Sequence, residues 1–586
     1  MSKSKSMSKS VSVSKGSPGK IFFWLMLVLG VGTACNNERD SSPDEVASTG
    51  GQACTEYRGY ELINGQIITM DENDSVVSSL TVENDRIVAL GATAQQRDSE
   101  SCRRVIDLAG RTVIPGLIDS HIHFIRAGSA PGYDLRAAET AFSIAELQKL
   151  ISAQVPSLPA GQVLSVIGGI AAQQFTENRF PTLLELDAAA PDNAVYIQQG
   201  FSGPAFTNSA GREFFAGKGI SIAEDGTIAA GKATAAAFMA VKANQTHEDR
   251  KQGLQRLQRY ANSLGLTTVV DQGGVPFPGA GFFDPSSDYQ PLLELWADGG
   301  LTIRIRAQRL SYDSDAEPGK VEEYLNNSWP RFGDEFLRTT ALGEHIVSFP
   351  RDGQVNPAYR SKIQNISMKG WSHEQHSTSN MENQQHIDAI KMVHAKYPVT
   401  DLRWSLSHVF ELGQDGDLAA INTLKSMGMG LRVQNHGYSM PTDKFPLGRT
   451  LNGVNSGPLY RTLADAGIKL GGGSDGPLVV PMNPWLSIYY MLSGKDSAGQ
   501  LVNDKQTLTR LEALGLYTRG NAWFSFDEQD LGSLEVGKTA DLVVLNGDYL
   551  NLPLAEIRTL GSVLTMVGGQ IVYTDPEQPI PVPVQN

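Results

Sequence analysis

The chain has 586 residues, 41% of them hydrophobic and 19% charged, which puts it beyond one small domain and supplies apolar side chains for a large core. A formal net charge of -14, with no long run of like charge, excludes a nucleic-acid partner, which would need a basic face. A large barrel with a satellite domain fits this length.

At the N-terminus, Lys3, Lys5, Lys9, Lys15 and Lys20 precede an apolar run from Ile21 to Val31, with no acidic residue before it, and Gly32-Thr33-Ala34-Cys35 follows. This is the layout of an export signal, and the run is too short to be a convincing membrane span. Small residues before a Cys resemble a bacterial lipoprotein signal, which would place a lipid on Cys35. Gly32 stands where that motif usually has a large aliphatic residue, so plain cleavage near Ala34 and a retained anchor stay open. The expectation is an exported protein, periplasmic or membrane-anchored in a Gram-negative-type bacterium, whose membrane contact is a lipid anchor at Cys35. In such a compartment Cys54 and Cys102 are expected to bridge each other, with two free thiols as the alternative.

Residues 1–35 are thus read as signal and 36–56, polar and without apolar period, as a flexible tether. From 57 to 112 short strands alternate with turn signals: Glu61 to Met70, Val76 to Glu83, Arg86 to Gly91 and Arg104 to Leu108, with Asn84-Asp85 marking a hairpin. Residues 532–578 hold further strands, Ala540 to Leu545 and Ser562 to Tyr573 around Gly568-Gly569, before a tail at 579–586. The two terminal sets are expected to pair into one small β-sandwich. Between them, over 113–531, strand-like runs alternate with helical stretches, the pattern of an α/β (β/α)8 TIM-like barrel with insertions. Candidate strands are Val163 to Ile167, Ala194 to Gln198, Thr267 to Asp271, Ile303 to Ala307, Arg403 to Ser407, Gly428 to Val433 and Ile468 to Gly472. Candidate helices are Ile144 to Val155, Arg250 to Leu264 and Leu418 to Met427.

The stretch that organises the chain is Val113 to Phe124. Val113 to Ile118 reads as a buried strand broken only by Pro115-Gly116, with His121 and His123 just past its end. Residues two apart on an extended backbone face the same way, so both imidazoles can point at one cation. Pro115-Gly116-Leu117-Ile118-Asp119-Ser120-His121-Ile122-His123 resembles the first-strand signature of the amidohydrolase superfamily of metal-dependent hydrolases. Thr182 to Pro191, Gly265 to Asp271, Gly467 to Pro477 and Gly532 to Leu545 are similar to its amidohydrolase type 3 branch.

Three later strand ends carry His376, His408 and Asp475. Alone, such a histidine is more often a surface or hydrogen-bonding residue than a ligand, and an Asp before Gly more often a turn former. Together with His121 and His123 they follow the order of the family's metal ligands, and they use four of only ten histidines. The resemblance implies one or two divalent ions, Zn2+ first, with Asp475 as general base and His408 or His376 stabilising an oxyanion if one ion is present. Where many relatives carry a bridging carboxylated lysine, this chain has Thr339-Thr340-Ala341-Leu342-Gly343-Glu344-His345. Glu344 offers the same two oxygens, so it is either the bridge or a loop carboxylate beside a single ion.

Two more departures fall on expected pocket loops: Phe201-Ser202-Gly203-Pro204-Ala205 replaces Gly-His-Ala, and Ser377 to Asn380 lacks the common aspartate. Trp371, Phe410, Tyr438 and Trp485 are read as pocket-shaping or core aromatics. The leading expectation is hydrolysis of a C–N bond of amide or N-acyl type in a small-molecule substrate. A metal-dependent lyase or isomerase, decarboxylase or hydratase, and an inactive binding protein are the alternatives. Oligomeric state is not written in the sequence.

Overall fold

The computed structural model describes residues 57–91, 102–129, 133–200, 203–273, 289–309, 313, 319–348, 353–439, 450–451, 454–455 and 457–581. The signal, Cys35, the tether, Cys54 and Phe201-Ser202 lie outside them; Cys102 is disulfide-bonded. No helix among the described residues is long and apolar enough to cross a membrane.

Eight parallel strands stand side by side in chain order: β1 (Leu117–Ile122), β2 (Leu266–Asp271), β3 (Arg304–Arg309), β4 (Leu337–Leu342), β5 (Ser372–Ser377), β6 (Ser405–His408), β7 (Gly430–Gln434) and β8 (Lys469–Gly473). The sheet rolls until its edges meet. Ser120 Oγ donates to Gly472 O at 3.0 Å and Asp475 N to His121 O at 2.7 Å. Gly473 permits this closure, since a Cβ there would lie 2.6 Å from His121 Cβ. Amphipathic helices cover the outside, and the longest, His247–Ser263, opens with a capping box in which Thr246 and Asp249 exchange hydrogen bonds.

The expected sandwich is present and is built from both ends of the chain. One sheet orders Arg86–Leu90, Leu80–Glu83, Gly59–Ile63 and Arg103–Asp107; the other orders Gln570–Thr574, Ser562–Val567, Leu542–Leu545, Thr112–Pro115, Gln66–Ile68 and Val76–Val77. Val113 pairs with Val544, which ties the two terminal sets together. The apolar run Val113 to Ile118 is therefore two strands in two sheets. Gly116 stands at the break, where only glycine fits, since a Cβ there would meet Thr267 Oγ1 at 2.2 Å. Across the junction Arg304 holds Asp541 bidentately at 2.9 and 3.0 Å, both side chains buried.

Two of the candidate barrel strands belong elsewhere. Leu164–Ile167 and Val195–Gln198 lie in a five-stranded sheet with Tyr133–Asp134, Ala205–Thr207 and Thr227–Ile228, inserted between β1 and β2. This insertion has its own core, including Leu147, Ile151, Val166 and Leu186. A short, fully buried apolar run looks the same in either sheet. Their places in the barrel go to β4 and β5. Arg403 and Gly428, taken as strand residues, instead occupy left-handed turns with φ of +52° and +72°, so β6 and β7 start two residues later than expected.

Candidate metal centre

The C-terminal mouth of the barrel gathers all six residues expected as ligands. His121 is the penultimate residue of β1 and His123 follows its end; His376 is penultimate in β5 and His408 closes β6. Glu344 and Asp475 lie two residues beyond β4 and β8. Glu344 Oε1 is 3.5 Å from His123 Nε2, whereas Oε2 is 2.8 Å from His376 Nδ1 and 3.3 Å from His408 Nε2. Asp475 Oδ1 completes the first cluster at 3.4 Å from His121 Nε2 and 3.2 Å from His123 Nε2. Three overlapping sets, His121–His123–Glu344, His121–His408–Asp475 and Glu344–His376–His408, have ligand atoms within 4.8 Å of one another. His408 and Asp475 have φ of +71° and +60°, a backbone cost of order 1 kcal/mol each that turns their side chains into the mouth.

The tautomers suit a cation. His123 Nδ1 lies 2.7 Å from Gly273 O, which can only accept, so in the neutral ring Nε2 carries the lone pair. His121 Nδ1 lies 2.6 Å from Glu374 Oε1, and this carboxylate has the same effect. With the ring neutral, His121 Nε2 is a buried acceptor with no hydrogen-bond partner among the described residues, facing the oxygens of Asp475 and Glu344. Opposed acceptors at such distances call for positive charge between them, and these N and O donors suit Zn2+ or a similar divalent ion.

The carboxylates show the site's demand for positive charge: against burial, Glu374, Asp475 and Glu344 hold His121 above the usual imidazole range and Asp475 and Glu344 do the same to His123, so a bound cation would take the place of protons on these rings. Burial opposes charge on Glu344, but His345 and His376 beside it outweigh burial and hold its carboxyl well below the usual range. Asp475 is held down in the same way, against burial, by His121, His123 and His436. Burial pushes His408 down to about 3, so its imidazole is neutral.

Several supporting groups escaped the sequence reading. Glu374 Oε2 accepts from Gln272 at 2.9 Å, from Gln308 at 2.8 Å and from Arg432, all buried in the barrel. Its signal was present, since Glu374 stands two residues before His376 and so faces the same interior. His436 Nε2, just beyond β7, lies 2.9 Å from Asp475 Oδ2. No spacing within the sequence links those two. His345 lies in the same cluster, its ring centroid 4.6 Å from that of His376. Among the expected aromatics Phe410 packs 5.0 Å from His436 and 5.8 Å from His408, while Trp371, Tyr438 and Trp485 are buried in the core.

A parallel eight-stranded barrel with imidazoles and carboxylates converging at its C-terminal mouth defines the class of metal-dependent hydrolases. Residues 104–573 match the amidohydrolase family, and the chain belongs to that family. It is 26% identical to an N-substituted formamide deformylase of Arthrobacter pascens over 89% of this chain and 99% of the relative. It is 25% identical to the putative amidohydrolase YtcJ of Bacillus subtilis over 87% and 98%. In fold it is similar to an uncharacterized metal-dependent hydrolase from Pyrococcus horikoshii, with a TM-score of 0.57 at 22% identity over 85% and 99% of the two chains. A zinc complex of atrazine chlorohydrolase from Arthrobacter aurescens gives 0.51 at 16% identity over 89% and 96%.

Proposed function

We propose that this amidohydrolase cleaves the C–N bond of small N-acyl amines, N-substituted formamides first among them, at a two-metal centre bridged by Glu344. The observation that carries the reading is that one carboxylate reaches both groups of imidazoles: Oε1 lies 3.5 Å from His123, while Oε2 lies 2.8 Å from His376 and 3.3 Å from His408, with His121 at 3.8 Å from Oε2 between them. His121, His123 and Asp475 would complete one site, and His376 and His408 the other. Zn2+ fits the donor set, and divalent ions held there would supply a water of pKa near 7 and polarisation of the scissile carbonyl.

The chain's own groups then manage the proton. Asp475 keeps Oδ1 at the centre while His436 holds Oδ2. A carboxylate so fixed takes the proton of the attacking water and delivers it to the leaving nitrogen, which departs as a neutral amine while the new C–O bond becomes an acid. The covalent bridge of a carboxylated lysine is replaced here by a side chain that needs no modification. The formamide reading is supported by the Arthrobacter pascens deformylase, which matches this chain over nearly its whole length. Export with a lipid on Cys35 remains part of the proposal, supported by Ile21 to Val31 before Gly32-Thr33-Ala34-Cys35.

The test is hydrolysis of a panel of N-substituted formamides, acetamides and longer N-acyl amines by Zn2+- and Mn2+-loaded protein, scoring amine and acid together. Equimolar release of both, fastest with formamides, is expected. Turnover that yields no amine would contradict C–N hydrolysis.

A further inference from the structure

A cleft of about 340 Å³ opens where the insertion, the helix His247–Ser263 and the sandwich strand Gln570–Thr574 meet, and nothing in the amidohydrolase reaction uses it. Its walls include Tyr133, Leu135, Leu257 and Tyr573, and two guanidinium groups, Arg256 and Arg259, enter the same space. Arg256 stacks on Tyr133 with Cζ 4.2 Å from the ring centre. Its Nη2 is buried and has no hydrogen-bond partner among the described residues.

The nearby acids are already committed. Asp249 accepts from Tyr133 Oη at 2.6 Å, Gln162 at 3.1 Å, Thr246 N at 2.8 Å and Thr246 Oγ1 at 2.7 Å. Asp134 accepts from Ile167 N at 3.1 Å and pairs with the buried Arg136. Arg259 forms no ion pair with a described residue. Asp249 and Asp134 lend Arg256 electrostatic support but neither hydrogen-bonds it, so two guanidinium groups face one concave space in a chain of net charge -14.

We propose that this cleft is a second binding site, for a small organic carboxylate. The guanidinium groups of Arg256 and Arg259 supply the positive charge that holds the carboxylate, and the apolar body of the ligand lies against Tyr133, Leu135, Leu257 and Tyr573. The volume is at the small end of those found for organic ligands. An inorganic anion would leave the apolar walls uncovered.

The probe is benzoate, titrated calorimetrically into the full metal-loaded protein, with benzyl alcohol as the neutral control of similar shape. Saturable binding of benzoate and none of the alcohol are expected. Arg256→Gln and Arg259→Gln should each weaken benzoate by at least about tenfold, the effect of losing one charge-assisted contact. Both variants should keep their metal content, and a melting curve shows whether each is folded. If Arg256→Gln does not fold, Arg259→Gln alone decides. No saturation by about 10 mM, an affinity too weak for a built site, would overturn the proposal. So would equal binding of the alcohol, or benzoate affinity unchanged in the folded variants, which would place it at the metal centre instead.

Discussion

Replacing Glu374 by Gln tests whether the buried network beneath the metal centre prepares His121 as a ligand. Glu374 gives Oε1 to His121 at 2.6 Å and Oε2 to Gln272, Gln308 and Arg432. A glutamine has one acceptor where the site needs two. With its oxygen toward His121, its NH2 meets three donors; flipped, its NH2 meets His121 Nδ1 and forces the ring proton onto Nε2, where it blocks a metal. Arg432 loses its buried counter-charge in either pose, which costs about 3–5 kcal/mol. At about 2.1 cal/mol/K per residue, a chain this long loses roughly 1 °C of Tm for each kcal/mol, so a fall of about 3–5 °C follows. Loss of the partner that orients a ligating imidazole typically weakens metal binding about 10–100-fold, or about 1.4–2.7 kcal/mol. Melting curves and metal retention against a graded chelator measure the two effects separately. The double variant Glu374→Gln, Arg432→Met should recover much of the Tm and none of the metal affinity. A single variant that keeps wild-type metal affinity would refute the argument that Glu374 sets the tautomer of His121.

Asp475→Asn should lower kcat by about 10²–10⁴-fold, the usual worth of a positioned acid–base group, in stopped amine-release assays with metal restored; a smaller loss would move proton transfer elsewhere. His436→Gln should reduce kcat less than Asp475→Asn while leaving the metal content intact, since it holds Oδ2 and not a ligand atom. Asp541→Ala strands Arg304 at the barrel–sandwich junction and should cost about 3–5 kcal/mol of stability, with activity per folded molecule retained by active-site titration. Gly473→Ala drives a methyl to within 2.6 Å of His121 Cβ; an overpacking cost of about 1–3 kcal/mol should appear with loss of metal, and unchanged metal content would contradict the tight closure of β8 on β1.

The sequence carried more of the centre than of its support. His121 and His123 were legible because they end an apolar strand at a spacing that aims both rings one way. His376, His408 and Asp475 were legible only as an ordered set, and Glu344 only because it sits beside the place of an absent lysine. The barrel strands β4 and β5 were left out of the candidate strands, although the end of β5 was marked at His376, because Arg338, Thr339, His373, Glu374 and His376 interrupt any apolar run. Polar residues are what the mouth and interior of this barrel require, so the strands richest in function look least like strands. Leu164–Ile167 and Val195–Gln198 made the opposite error possible, being apolar enough for a barrel yet packed in the insertion. The pairing of His436 with Asp475 depends on the approach of β7 and β8 and has no local trace.

The account stands on Glu344 joining two cations. Metal analysis of purified protein, combined with anomalous diffraction at the zinc edge, tests this directly. Two equivalents per chain are predicted, which His121, His123 and Asp475 on one side of Glu344 and His376 and His408 on the other would hold. A single peak that persists at full occupancy in Glu344→Gln would contradict it.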